Sequence, residues 1–269
     1  MSGLAIRKLL LRCHKLPPAL DGMRIAHVSD LHLQRWTSQL DALRKVLGNL
    51  AMDLLVVTGD FCQWPDDTAN CAALCTALFE NVAPPLGAYG VLGNHDSAAL
   101  ATQPIPVRLL RNESITLPTT ADADHPLVLA GIEQHIARRG TVRETLPEFD
   151  RDAAHIILAH YPSTAYELPP GQGMLMLSGH THGGQIRIPG IGCLFTNDDI
   201  PRSMSRGLHT VRGNWLHVSA GVGASWPLQI RVCCPPEITL MTLRAPHRRT
   251  GHPHRQRARR RVKTTLAGV

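Results

Sequence analysis

Nine residues able to bind a metal or move a proton follow short apolar runs in this chain. Asp30 and His32 come after "RIAHVS", Asp60 after "LLVVTG", and Asn94, His95 and Asp96 after "YGVLG". His160 follows "HIILA", and His180 and His182 follow "LMLSG". Imidazole suits zinc, iron, nickel and copper, whereas carboxylate and amide oxygens suit harder ions such as manganese. Three or more histidines with two aspartates and an asparagine exceed what one tetrahedral zinc needs. The set fits two cations sharing a carboxylate, an arrangement that can clamp a phosphoryl oxygen between ions roughly 3.5–4 Å apart. Asp30-x-His32 and His180-x-His182 each put two side chains on one face of an extended segment. Taken singly, a DxH pair, a Gly-Asp turn or a lone histidine usually has a structural role. Five such features, each closing its own apolar run, define a site.

The elements that must carry these residues can be read from the same runs. "MRIAHVSDLHL", "DLLVVTGD" and "GAYGVLGNHD" read as strands that deliver side chains at their C-terminal ends. Between them, Leu40, Leu43, Leu47 and Leu50 fall at helical spacing, and a second helix is predicted over part of 67–82. Ser38 with Asp41 reads as a capping box for the first helix. The second half is richer in strands: "HPLVLAGI", "AAHIILAHYP", "GMLMLSGHTHG", "NWLHVSAGVG" and "EITLMTLR". Alternating strands and helices with loaded strand ends predict a buried α/β sheet, and such folds place their sites at one edge of it. No internal repeat is present.

Bulk properties bound the rest. With 269 residues, 43% hydrophobic and 18% charged, the chain has globular composition. Its net charge of +7 belongs to the end: residues 247–269 hold eight Lys or Arg and no acid, leaving 20 basic against 21 acidic residues in the body. We therefore expect one domain over 1–246 and a basic, disordered tail over 247–269. Seven cysteines without a CxxC pair suit a reducing, cytoplasmic setting. No run reaches the roughly 18–20 apolar residues of a membrane span. The stretch "LAIRKLLLRCHKL" is short, charge-interrupted and without a small-residue cleavage site, which argues against a signal peptide. The tail lacks interleaved aromatics, so nucleic-acid recognition has little support. Solvation, or peripheral docking at the inner face of a membrane, are the readings it leaves.

The order "DLH", "GD", "GNHD", "LAHYP" and "GHTHGGQ" resembles the calcineurin-like metallophosphoesterases, from about Arg24 to about Leu243. The resemblance is strongest to a bacterial branch with "SDLHL", "TGD", "LSGHTHGGQI" and a late "PEITLMTL". It implies a four-layer α/β/β/α sandwich of two mixed sheets flanked by helices, with two divalent ions (manganese, iron or zinc) at the strand ends. By motif, Asp30, His32, Asp60 and His182 would hold one ion. Asp60, Asn94, His160 and His180 would hold the other, with Asp60 bridging. His95 would contact the phosphate and protonate the leaving oxygen, with Asp96 stabilising it. The implied activity is hydrolysis of a phosphodiester or pyrophosphate. Lipid-linked substrates such as UDP-2,3-diacylglucosamine, of lipid A synthesis, are among those of the branch. Another phosphoester, or a non-catalytic scaffold on the same fold, is the alternative, although a scaffold has little reason to keep every ligand and His95. One position departs: relatives often carry an acid three residues after the bridging Asp, where this chain has Gln63.

Other polar residues read more plainly. His27 and His155 are expected as strand histidines, Cys71 and Cys75 as small core residues, Asn112 as a turn residue and Arg187 as a surface charge. His209 and His217 flank a hairpin-like "RGNW". The glycines of "SGHTHGGQI" are expected to let the loop crowd two cations and a phosphate.

Overall fold

The computed structural model describes residues 3–118, 126–133, 150–225 and 229–246, together with Val142, Thr145 and Leu146. The tail reading over 247–269 lies outside the described residues. Two six-stranded mixed sheets pack face to face. The first holds β1 (Ala5–Arg12), β2 (Arg24–Val28), β3 (Leu54–Thr58), β4 (Ala88–Val91), β5 (Arg108–Leu109) and β14 (Glu237–Arg244), in the order β1-β14-β2-β3-β4-β5. The second holds β6 (Glu113–Thr116), β7 (Leu127–Ile132), β8 (Ala154–Ala159), β9 (Leu175–Ser178), β12 (Gly207–Val211) and β13 (Asn214–Val218), in the order β12-β13-β9-β8-β7-β6. A small hairpin of β10 (Arg187–Ile188) and β11 (Gly192–Cys193) stands apart.

Strands β2 to β5 run parallel, as do β7, β8, β9 and β13, so the C-terminal ends of both sheets' centres lie at one edge. Val28 stands level with Val57, and Thr58 with Val91, which sets the residues that follow them side by side. These central strands are buried on both faces and read as unbroken apolar runs for that reason. Ile25, Leu54, Val56 and Val91 meet Leu129, Ile156, Leu158 and Leu177 in the core between the sheets. Ala26, Val28, Leu55 and Val57 face outward against two helices.

Those helices are α1 (Ser38–Asn49), which buries Leu40, Leu43 and Leu47, and α2 (Thr68–Phe79), which buries Cys71, Cys75, Leu78 and Phe79. The cap of α1 is Thr37, not Ser38. Thr37 is extended (φ −137°, ψ 161°), so its hydroxyl accepts the Leu40 N–H at 3.3 Å, and Asp41 takes the Trp36 indole N–H at 2.7 Å instead of reaching back. On the far side of the second sheet, Ile157, Met176, Leu216 and Val218 pack with Val142, Leu146, Ala165 and Leu168. The molecule is thus an α/β sandwich, with its α-helices, among the described residues, outside the first sheet.

Strand β1 was not foreseen as a strand. It pairs in parallel with β14 at the edge of the first sheet, from Ala5↔Glu237 to Arg12↔Arg244. The β12–β13 hairpin turns through Arg212 and Gly213, both at positive φ (50° and 80°), as the "RGNW" stretch requires. Because β14 is antiparallel to β2, Arg244 lies at the end of the sheet opposite Asp30. No described helix is long and apolar enough to cross a membrane.

Candidate metal centre

Every ligand foreseen from the sequence sits just beyond a strand at the shared edge, with His182 opening a short 3-10 turn, His182–Gly184. Asp30 and His32 follow β2, Asp60 follows β3, Asn94 follows β4, His160 follows β8, and His180 and His182 follow β9. All but half-buried Asn94 are buried. Five of the seven carry a left-handed backbone: Asp30 (φ 52°), His32 (46°), Asp60 (53°), His180 (68°) and His182 (51°). Each such non-glycine residue costs about 1–3 kcal/mol and persists only where its surroundings hold it. Here neighbouring strand ends do so. Asp30 N–H donates to the Gly59 carbonyl at 3.0 Å, and His32 N–H to the Asp60 carbonyl at 3.0 Å. His180 N–H donates to Asp30 Oδ1 at 2.9 Å.

The side chains converge on Asp60. His160 Nε2 lies 3.3 Å and His32 Nε2 3.5 Å from Asp60 Oδ2, while the His95 N–H donates to Asp60 Oδ1 at 2.9 Å. His182 Nε2 is 3.1 Å from His32 Nε2 and 3.6 Å from Asp30 Oδ1. Asn94 Oδ1 lies 3.1 Å from His160 Nε2. Two groups have donor atoms that all lie within 4.8 Å of one another: Asp30, His32, Asp60 and His182, and then Asp60, His160 and His180. Asp60 belongs to both. The outer ring nitrogens are pinned: His160 Nδ1 donates to the Thr58 carbonyl at 2.7 Å, and His180 Nε2 to the Asn197 carbonyl at 2.9 Å. A histidine held this way presents its other nitrogen, with its lone pair, to an ion.

The electrostatics fit a cation. Burial lowers His32 and His180 to about 4, and burial with neighbouring His32 and Arg231 drives His182 well below the usual range, so all three offer neutral nitrogen. Burial raises Asp30 to about 6, and its Oδ2 has no hydrogen-bond partner. Burial also works against charge on Asp60, but His160 and His32 outweigh it and hold that carboxyl far below the carboxylate range. His160 is opposed by burial yet raised to about 9 by Asp60 and Asp30. The proton on His160 offsets the charge of two buried carboxylates, a role that a divalent ion fills better.

Two expectations need correction. Asp96 does not orient His95. Its two oxygens accept the backbone N–H groups of Cys62 and Gly93, each at 2.8 Å, bracing the loops that carry Asp60 and Asn94. His95 Nδ1 instead faces the Gln63 carbonyl at 2.9 Å, and its ring stands edge-on to His32. Gln63 is 1% exposed and its Nε2 has no partner, so a backbone carbonyl does the work foreseen for a carboxylate. The second concerns the loop glycines. A Cβ at Gly179 would strike Ser29 Oγ and Asp30 Oδ2, which explains that glycine by the site itself. At Gly183 it would meet Cys234 Sγ and Ala220, and at Gly184 Cys193, so those two make room for protein neighbours.

Arg231 was missed. Its guanidinium donates to the carbonyls of Gly223 and His182, and its Nη2 lies 3.4 Å from His182 Nδ1. An isolated arginine some 50 residues from its partner carries no spacing signal. Tyr161, stacked on His180 at 3.9 Å between ring centroids, was visible only as part of "LAHYP". Arg187 is not a free surface charge, since it donates to the Gly183 carbonyl at 2.7 Å and to Ser205 Oγ at 3.0 Å. Asn112 (φ 54°) is a turn residue whose Oδ1 accepts the Glu133 N–H at 2.9 Å.

Two packed mixed sheets with a His/Asp/Asn cluster at their common edge define a metal-dependent phosphohydrolase. The calcineurin-like phosphoesterase model matches residues 23–184, and the chain belongs to that family. It is 28% identical over 232 residues to the uncharacterized metallophosphoesterase YkoQ of Bacillus subtilis, covering 82% of this chain and 84% of that one. It is 28% identical over 289 residues to the UDP-2,3-diacylglucosamine pyrophosphatase LpxG of Chlamydia trachomatis, with the same shares covered. With the phosphodiesterase YaeI of Escherichia coli it shares 27% over 241 residues, 82% of each chain.

Proposed function

We propose that the chain is a two-cation phosphodiesterase or pyrophosphatase acting on a lipid-linked nucleotide or a similar amphiphilic phosphoester. The reading is carried by the two donor groups that share Asp60. One ion would rest on Asp30, His32, Asp60 and His182, the other on Asp60, Asn94, His160 and His180, with manganese, iron or zinc all compatible with mixed imidazole and oxygen donors. When bound, the cations supply Lewis acidity and charge neutralisation at the phosphoryl group. The protein's own residues do the rest. Thr58 and Asn197 carbonyls fix the ring orientation of His160 and His180. His95, with Nδ1 engaged by the Gln63 carbonyl, has Nε2 left to carry the proton for the departing oxygen. Asp96 acts through the backbone of the 60–63 and 93–96 loops. The pyrophosphatase activity in LpxG's name and the phosphodiesterase activity in YaeI's name support the bond class.

The test is hydrolysis of bis(p-nitrophenyl) phosphate with Mn²⁺, followed by a panel of monoesters, diesters and lipid-linked pyrophosphates. Asp60→Asn should abolish turnover together with metal binding. His95→Ala should keep the metal while kcat falls roughly 10²–10⁴-fold. Unchanged activity in both variants would rule out this assignment.

A further inference from the structure

We infer that the rim of the metal centre docks on an anionic lipid surface. Ten large hydrophobic side chains are exposed among the described residues, and six of them fall in two short segments: Ile188, Ile191, Leu194 and Phe195, then Ile230 and Val232. Phe195 is 81% and Ile191 71% exposed. The two segments form one surface, because Ile186 bridges Val232, the Val232 N–H donates to the Gln185 carbonyl at 3.0 Å, and the Arg187 N–H donates to the Val232 carbonyl at 2.9 Å. That surface borders the site on both sides. Asn197, two residues from Phe195, touches His180, and Arg231, between Ile230 and Val232, touches His182. An apolar cluster of this kind marks a partner, and scattered singles do not.

The surface also leads inward. Beside Ile230, a cavity of about 620 Å³ is lined by Leu4, Ala42, Val222, Ile230 and Pro236 among others. It shares Thr37, Gln39, Gly223, Ala224 and Gln229 with a second cavity of about 220 Å³ that reaches His32 and Gln63. Neither lining contains a carboxylate, and Arg35 and Arg231 contribute positive charge. The route runs from an apolar rim, through a slot lined by apolar side chains together with Thr37, Gln39, Gln229 and Arg231, to a polar end at His32, Gln63 and Arg35, a sequence of environments that suits an anionic amphiphile.

A protein partner seated on this rim would cover the mouth of the site, whereas a bilayer presents its substrate there. The charge of the rim agrees: Arg202 and Arg206 stand against Asp199, while Arg187, Arg231 and Asp198 are each turned inward, Arg187 onto Gly183 and Ser205, Arg231 onto Gly223 and His182, and Asp198 onto Ser163. Interfacial docking of this type combines apolar side chains with cations facing anionic head groups. The surface lies at the opposite end of the first sheet from Arg244, the last residue of β14.

This inference rests on the lipid-linked reading of the substrate, and its test separates the two. The full chain is sedimented with vesicles of phosphatidylglycerol and phosphatidylcholine in equal parts, and with pure phosphatidylcholine. We expect binding to the mixed vesicles, weaker binding to the neutral ones, and a loss of at least roughly tenfold in Ile191→Ser/Phe195→Ser with an unchanged melting curve. A wild-type chain that ignores mixed vesicles overturns the inference, as does a double variant that binds like wild type and releases only when 247–269 are deleted. A double variant that turns a lipid-free dimer into a monomer also overturns it, by showing the rim to be a contact between copies. Hydrolysis of the soluble diester, measured on the same preparations, reports on the phosphodiesterase reading alone.

Discussion

At the scale of single residues, the site is built from side chains whose types were readable and a backbone that was not. Asp30, His32, Asp60, His180 and His182 could be picked out because each closes an apolar run. Nothing in those letters announced that all five would adopt left-handed φ, a conformation usually left to glycine. Arg231 and the carbonyl of Gln63 were equally hidden, since one contact spans 49 positions and the other uses the backbone of Gln63 and not its side chain. Gly179 shows how tight the arrangement is. Its missing Cβ is the space occupied by Ser29 Oγ and Asp30 Oδ2, both on residues with no exposure. Gly179→Ala should destabilise the fold by about 1–3 kcal/mol, as overpacking does, and weaken metal retention because Asp30 must move. Gly48→Ala is the matching control: in α1, with no atom within 4 Å of the added carbon, it should be neutral or stabilise by about 0.5–1 kcal/mol. Thermal melts and metal content of the two variants check the pair. Equal effects would show that crowding at Asp30 is not the cause.

At the scale of elements, the central strands were legible because burial on both faces makes them continuous apolar runs. Edge strand β1 was not, because its half-exposed pattern mixes Arg7, Lys8 and Arg12 with leucines and reads as charge-broken. The contact between the sheets also holds a feature that periodicity cannot disclose. His27 of β2 and His217 of β13 meet with Nδ1 atoms 3.0 Å apart, and His27 Nε2 lies 2.8 Å from Thr58 Oγ1. Thr239 of β14 faces His217 at 3.4 Å, and neither histidine has any exposure. Burial, reinforced by His217, lowers His27 well below its usual value. Burial, reinforced by His209 and Arg7, lowers His217 to about 3. Below about pH 6.5 the unfolded chain therefore binds protons that the folded one refuses. Their stabilising contribution is complete above that pH and is lost as pH falls from about 6.5 toward the folded values. Each histidine contributes a slope of at most about 1.4 kcal/mol per pH unit. Melting temperatures should hold from pH 8 to about 6.5 and then fall toward pH 5 for the wild type, and fall less steeply for His217→Gln. The same slope in both would exclude the buried pair as a source of acid lability.

At the scale of the whole molecule, the metal centre is where the two sheets are joined at one edge. Loops after β2, β3 and β4 come from the first sheet, and loops after β8, β9 and β13 from the second. The join is made by side chains and by backbone: Val222 N–H donates to the Ser29 carbonyl at 3.0 Å, while Asp30, Asp60 and Asp96 are buried together. Burial, with Asp60 beside it, raises Asp96 to about 6, a sign of like charges held close. A cation that binds only the folded arrangement stabilises the entire sandwich by mass action, about 2.7 kcal/mol when present at a hundred times its dissociation constant. For a domain of this size that corresponds to roughly 5–10 °C in melting temperature. Protein stripped with a chelator should therefore melt lower than the same protein reloaded with Mn²⁺ by about that margin. Asp60→Asn should lose most of the increment, because the residue common to both donor groups can no longer supply its charge. The neutral variant should also melt closer to the wild type in chelator than in metal, since only the metal-loaded wild type gains the increment that Asp60 supports. A melting temperature indifferent to chelation, or an increment undiminished in Asp60→Asn, would mean that the edge of the two sheets is held without metal.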